Sequence, residues 1–136
     1  MTRKNSNRLL WTAQTLTAAL FLFAGLTKFM IPPEQLTQGP IALPLAFMYF
    51  IGIAEVLGGL GLVLPGLFKV QTWLTPLAAA GLTIIMIGAV SVTVAGMGVF
   101  AGTFPAVVGI VTTWIAYART RVAPIADSQR AILRAA

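Results

Sequence analysis

Four long apolar stretches limit what this chain can fold into more than any other feature of its sequence. They are residues 9–29, 43–64, 73–95 and 99–118. Each holds about 20 residues, the length that an α-helix needs to cross a bilayer. Proline and glycine separate them, and these residues commonly end helices. The pattern predicts an all-α fold, an antiparallel bundle of four transmembrane helices.

Composition indicates the same class of protein. Hydrophobic residues make up 58% of the chain and charged residues 9%, whereas a soluble domain carries about 25% charged residues. The net charge of +6 lies at the ends of the predicted helices. It therefore favours topology signals and contacts with anionic lipid over nucleic acid. We expect the lipid bilayer as a partner and no nucleic acid.

The chain has no cysteine and no histidine. This excludes disulfides, thiolate metal sites and histidine proton shuttles. Three scattered carboxylates predict no metal site. If the protein takes part in redox chemistry, a partner or a bound organic cofactor carries the electrons, and we do not expect it to be an enzyme on its own. We expect no covalent cofactor.

The basic residues predict the orientation in the membrane. Eight of the nine fall on one side if both termini are cytoplasmic: Arg3, Lys4, Arg8, Lys69, Arg119, Arg121, Arg130 and Arg134. Only Lys28 falls on the other side, and such a bias marks the cytoplasmic face. Residues 1–8 are then a basic N-terminal segment, and the first apolar stretch is too long for a signal-peptide core. Residues 119–136 form a cytoplasmic tail, either a short helix on the inner leaflet or disordered.

Small residues indicate which helix faces pack together. Lipid tails are as apolar as leucine, so membrane helices associate where small residues allow close approach. The predicted packing positions are Gly25, Gly52, Gly58, Gly59, Gly81, Gly88 and Gly109.

Glu55 and Lys28 are the principal candidate site. A charge at mid-bilayer depth costs about 2.5–3.5 kcal/mol on insertion scales, and Glu55 lies near the middle of the second stretch. Lys28, at the far end of the first stretch, is about 10 Å or more away in height. Three interpretations remain open for Glu55: an ion pair with Lys28 that only sets helix register, a protonated and hydrogen-bonded Glu55, and a ligand or proton site. For Lys28 alone, extension of the side chain to the outer interface is a further alternative.

Two further polar residues are secondary candidates. Gln14 lies about two turns inside the inner end of the first helix, where it would either bond between helices or contact a ligand. Thr93 belongs to a group of hydroxyl residues expected to bond the carbonyl one turn back in their own helix. The group is Thr83, Ser91, Thr93, Thr103 and Thr112.

Several of these segments resemble one known family. The segments are Phe23–Phe29 (FAGLTKF), Gly52–Leu62 (GIAEVLGGLGL), Leu74–Gly81 (LTPLAAAG) and Gly88–Val90 (GAV). In this order and spacing they resemble the DoxX-like family of small bacterial membrane proteins. The resemblance covers nearly the whole chain from Trp11 to Tyr117, and the family's lysine and glutamate fall on Lys28 and Glu55.

The resemblance implies a four-helix bundle in the bacterial inner membrane and a link to oxidoreductase systems, some of them quinone-linked. Distant relatives act as chaperones or cargo receptors. Relatives often carry a histidine near Thr93, and its absence makes proton-coupled redox chemistry within this chain less expected.

Two functional hypotheses follow. In one, the bundle binds a quinone or another lipophilic molecule, such as a lipid, near Glu55 and Lys28 and serves a partner oxidoreductase. In the other, it is a non-catalytic membrane scaffold or assembly factor. Homo-oligomerisation is compatible with both.

Overall fold

The structure, a computed structural model, describes residues 2–39 and 41–136. The regular secondary structure in those ranges is helical, without a strand. The α-helices are α1 (Arg3–Met30), α2 (Pro33–Leu36), α3 (Leu45–Phe68), α4 (Leu74–Met97), α5 (Thr103–Tyr117) and α6 (Ser128–Ala135). A π-helical turn, Ala118–Val122, continues α5. The first residue of the predicted segment 1–8 and the loop residue 40 lie outside the described residues.

Three of the helices, α1, α3 and α4, are long and apolar enough to cross a membrane. The fourth, α5, has 15 residues, and the π-helical turn extends it by five more. The all-α prediction is therefore confirmed, whereas four spans remain a prediction.

The helix boundaries differ from the predicted stretches in two informative places. Helix α1 begins at Arg3 rather than at residue 9, because the Thr2 side chain accepts a hydrogen bond from the Asn5 backbone N–H and caps the helix there. Helix α3 continues through Pro65 to Phe68. It ends where Lys69 adopts the left-handed conformation, with φ 54°, which is a common way for helices to terminate.

Helices α1 and α3 pack antiparallel through glycine. A Cβ at Gly25 would lie 2.7 Å from the Gly52 carbonyl oxygen. Further along, a Cβ at Gly59 would lie 3.1 Å from the Ala18 carbonyl oxygen. Near the other end, Gly66 lies against the Trp11 ring. At Gly25 and Gly59 the two backbones are in near contact, so a side chain at either position would push the helices apart.

Helix α4 packs antiparallel against both α3 and α5. Gly58 of α3 contacts Leu82, and Gly109 of α5 contacts Met86. The prediction that Gly81 and Gly88 are packing positions is wrong within this chain, since a Cβ at either would meet nothing within 4 Å. The physical reason is the choice of face. Helix α4 buries the stripe Thr75, Ala79, Leu82 and Met86, and both glycines lie off this stripe.

The C-terminal tail is helical and docks on the connection between α3 and α4. The Ser128 backbone N–H and hydroxyl both donate to the Lys69 carbonyl, at 3.0 and 2.9 Å. The Thr72 hydroxyl donates to the Ile125 carbonyl at 3.2 Å. Of the two alternatives for the tail, the structure has the short helix, α6, and its Ile132 and Leu133 side chains are exposed.

Candidate functional site

Lys28 and Glu55 form a direct ion pair. The Lys28 Nζ lies 2.6 Å from the Glu55 Oε2 and also donates to the Ala24 carbonyl at 3.3 Å. The side chains are 17% and 6% exposed. Two opposite charges at this distance largely compensate each other where water is scarce.

The pair forms despite its offset along the helix axes because helical side chains lean towards the N-terminus of their helix. For Lys28 this direction is back along α1, towards Ala24 and into the bundle. Gly52 lies one turn from Glu55, and its missing side chain leaves room for the Lys28 stem, whose Cβ would be 3.4 Å from a Cβ there. The structure thus pairs the two groups, and a ligand role for the pair remains a prediction.

A cavity of about 320 Å³ lies beside Glu55, between α1, α3, α4 and α5. Its walls are almost entirely apolar. They are Leu20, Phe21, Ala24, Met86, Ala89, Ala101, Phe104, Pro105 and Val108, with Glu55 and Thr93 as the polar members. Phe104, on the rim, is exposed, so the cavity opens towards the side of the bundle.

Both polar groups of the cavity have unused hydrogen-bonding capacity. Glu55 uses Oε2 for Lys28, and its Oε1 accepts no hydrogen bond from the described residues. Thr83, Ser91, Thr103 and Thr112 do bond backbone carbonyls three or four residues back. Thr93 was predicted to do the same and does not, so its hydroxyl is available to a molecule in the cavity.

Gln14 is not part of this site. It is fully buried about 21 Å from Lys28 along α1, since 14 residues rise 1.5 Å each. Its Nε2 donates to the Leu62 carbonyl of α3 at 2.6 Å, and its Oε1 accepts from the Arg119 Nε. Gln14 is therefore an interhelical hydrogen-bonding residue, which was one of its two predicted roles; the other was contact with a ligand.

Arg119 organises a second polar centre that the sequence did not indicate. It is 3% exposed and lies in the π-helical turn. Its Nη1 donates to the Asn7 Oδ1 at 2.7 Å and to the Ala123 carbonyl at 3.0 Å. Its guanidinium lies 5.4 Å from the centroid of the Trp11 ring, a cation–π distance. Burial lowers the pKa of Arg119 to about 10, so it stays protonated at neutral pH.

The sequence alone does not distinguish Arg119 from the other basic residues of the predicted cytoplasmic side. One signal was available. Arg119 lies immediately after the stretch 99–118, and Gln14 lies near the start of the stretch 9–29, so both are near the same side of the predicted bundle. A buried amide and a terminal arginine on antiparallel helices are compatible partners, but the pairing spans 105 residues and no local pattern indicates it.

The fold and this site define a class of protein: a small, multi-helix, membrane-type bundle with a buried ion pair beside an apolar cavity. The chain matches the model of the DoxX-like family over residues 12–116, most of its length. It therefore belongs to the DoxX-like family, as predicted, and family and apolar helices together indicate a multi-pass membrane protein. No curated protein and no solved structure matched the chain.

Proposed function

We propose that this protein binds a lipophilic small molecule, with its polar head in the cavity beside Glu55, and presents it to a partner oxidoreductase. One observation carries the proposal: an apolar cavity among the four helices has a buried acid in its wall, and one oxygen of that acid is unused. Ligand sites typically combine apolar walls with a few polar groups that orient the ligand. A volume of about 320 Å³ suits a ring-sized head with its tail outside.

A quinone fits the chemistry of the two polar groups. Its carbonyl oxygen accepts a hydrogen bond, which the Thr93 hydroxyl can donate. The corresponding quinol hydroxyl donates one, which the Glu55 carboxylate can accept. The Lys28 ammonium lies 2.6 Å from the other oxygen of this carboxylate and compensates its charge inside the bundle. The chain itself contains no cysteine or histidine, so we assign the electron transfer to a partner protein.

We place the bundle in the bacterial inner membrane, with four spans and both termini in the cytoplasm. Arg3, Lys4 and Lys69 line one cleft at one end of the bundle, and Arg119, Arg130 and Arg134 line another beside it. Lys28 lies towards the opposite end of α1. This distribution supports the orientation, since basic residues concentrate on the cytoplasmic side. Reporter fusions at residue 69 and at the C terminus should report the same side, and a fusion at Gly39 the other.

The ligand is tested by extraction. Protein purified in mild detergent should yield a lipophilic molecule, identified by mass spectrometry of an organic extract. Ala89→Leu fills the cavity without touching the ion pair and should reduce the extracted amount about tenfold, if occlusion costs about 1.4 kcal/mol of binding. Ala95→Leu is the matched control, because Ala95 is exposed on the same helix. An empty wild-type extract, or equal amounts from both variants, would contradict the proposal.

A scaffold role is the second candidate, and the outward-facing glycines of α4 favour it. Gly81 and Gly88 are exposed, with open space where a side chain would be. Exposed small residues allow another membrane helix to approach closely. Because the chain lacks cysteine, Gly81→Cys gives a single thiol for oxidative cross-linking in membranes. Cross-linked dimers from Gly81→Cys, but not from Leu16→Cys on exposed α1 surface, would support self-association through this face.

A further inference from the structure

A second groove, of about 490 Å³, lies at the basic end of the bundle. It is formed by the start of α4, the π-helical turn and α6. Its polar lining is Thr72, Trp73, Arg119, Thr120, Asp127, Arg130 and Arg134. Three arginines from two separate segments therefore line one groove, with a single carboxylate on its wall. Gln14, the hydrogen-bond partner of Arg119, lies about 21 Å along α1 from Lys28, and the groove plays no part in the proposed function.

Among the described residues, the buried arginine of this groove donates its hydrogen bonds to neutral oxygens. A guanidinium has five N–H donors, and Arg119 uses three of them, all towards neutral oxygens. Its Nη2 is buried and has no hydrogen-bond partner among the described residues. Burying a charge without a counterion is costly. Within the described residues the positive charge of Arg119 is therefore not neutralised by a hydrogen-bonded carboxylate, and a nearby anion would stabilise it.

We propose that the groove binds a phosphate group that carries uncompensated negative charge, either the headgroup of an anionic phospholipid or free phosphate. Arginine is well suited to phosphate, because its planar fork donates two parallel hydrogen bonds. Arg130 and Arg134 are four residues apart on α6, so they share one face of that helix. They lie at the groove rim, where both are exposed, while Arg119 supplies a fixed positive charge from below.

The surroundings suit a membrane position for this phosphate. Ile132 and Leu133, on the same helix as the rim arginines, are exposed. Apolar side chains beside basic ones are typical of helices that lie in the lipid interface. The hydrogen bonds from Thr72 to Ile125 and from Ser128 to Lys69 attach the tail to the α3–α4 connection. They hold α6 beside the groove.

Binding is measured with the full chain in lipid-free detergent, by tryptophan fluorescence, since Trp73 lines the groove. The probes are phosphatidylglycerol, zwitterionic phosphatidylcholine and inorganic phosphate. The test variant is Arg130→Gln/Arg134→Gln. The matched control is Arg3→Gln/Lys4→Gln, which removes the same charge from the neighbouring cleft at the same end. All four residues are exposed, and thermal melting checks that both variants fold.

We expect phosphatidylglycerol to bind more tightly than phosphatidylcholine. The test variant should weaken this binding about tenfold or more, at roughly 1 kcal/mol for each arginine, and the control should keep wild-type affinity. Binding of phosphatidylglycerol with only weak competition by inorganic phosphate supports a lipid headgroup as the ligand. Binding of inorganic phosphate without binding of phosphatidylglycerol supports a soluble source. Equal losses in the two variants, or no preference for phosphatidylglycerol with no phosphate binding, would overturn the proposal. The Glu55 site is untouched, so either outcome is independent of ligand extraction.

Discussion

The two polar centres of the bundle solve the same problem in different ways. The Lys28–Glu55 centre pairs opposite charges at 2.6 Å and is close to neutral as a unit. The Arg119–Gln14 centre surrounds one permanent cation with neutral oxygens from Gln14, Asn7 and Ala123. Both are built on α1, about 21 Å apart. The comparison shows that burial of a polar residue in this chain does not by itself mark a ligand site.

The difference has chemical consequences. The Glu55 carboxylate faces a cavity, and one of its oxygens accepts no hydrogen bond from the described residues. The guanidinium of Arg119 does not exchange its charge at neutral pH, and its amide partners only orient it. The first centre therefore has a cavity beside it, whereas in the second centre the side-chain amides of Gln14 and Asn7 orient the Arg119 guanidinium.

The largest expected effect is at the ion pair. Lys28→Met and Glu55→Gln should each lower the free energy of unfolding by about 3–5 kcal/mol, because each leaves one buried polar group without its partner. The double variant should regain part of this loss, since it leaves no charge stranded. Chemical unfolding in detergent measures the cycle. Additive losses would mean that the two groups are satisfied separately, and the contrast between the centres would disappear.

The second centre should respond without such compensation. Gln14→Leu removes the acceptor of the Arg119 Nε and should cost about 1.5–3 kcal/mol, the range for a hydrogen bond to a charged group. Adding Arg119→Met should not restore stability, because the Asn7 amide and the Ala123 carbonyl then lose their donor as well. Recovery in this double variant, measured in the same unfolding assay, would show that the two centres behave alike.

The smallest effects concern the glycine contacts that hold α1 against α3 near the ion pair. Gly25→Ala places a Cβ 2.7 Å from the backbone oxygen of Gly52 and should cost about 1–3 kcal/mol. Gly88→Ala is the control, since a Cβ there meets nothing within 4 Å. It should cause no loss and gain up to about 1 kcal/mol, because alanine is the better helix former. Equal thermal stability of the two variants would contradict the close approach of α1 and α3.

The sequence predicted the class of fold and singled out Lys28 and Glu55 as the principal candidates, because an acid in an apolar run is conspicuous on its own. It left open whether the two residues pair. It did not predict Arg119, since eight basic residues on one side already had a sufficient explanation in topology. The glycines divide in the same way. Recurrence every seven residues places Gly81 and Gly88 on one face of α4, but periodicity alone does not say which face is buried. That choice depends on Leu82 and Met86, which meet glycines on the neighbouring helices.

The long separation of Gln14 and Arg119 also bears on how the protein is made. Gln14 leaves the ribosome early, whereas its partner follows 105 residues later, an interval of about 5–20 s at 5–20 residues per second. During that time the amide oxygen of Gln14 has no guanidinium to bind, and α1 is not yet joined to the π-helical turn. The hydrogen bond that joins α1 to the π-helical turn thus forms only after residue 119 has been made. A chain truncated before residue 119 would therefore leave Gln14, near the other end of the sequence, without its guanidinium partner.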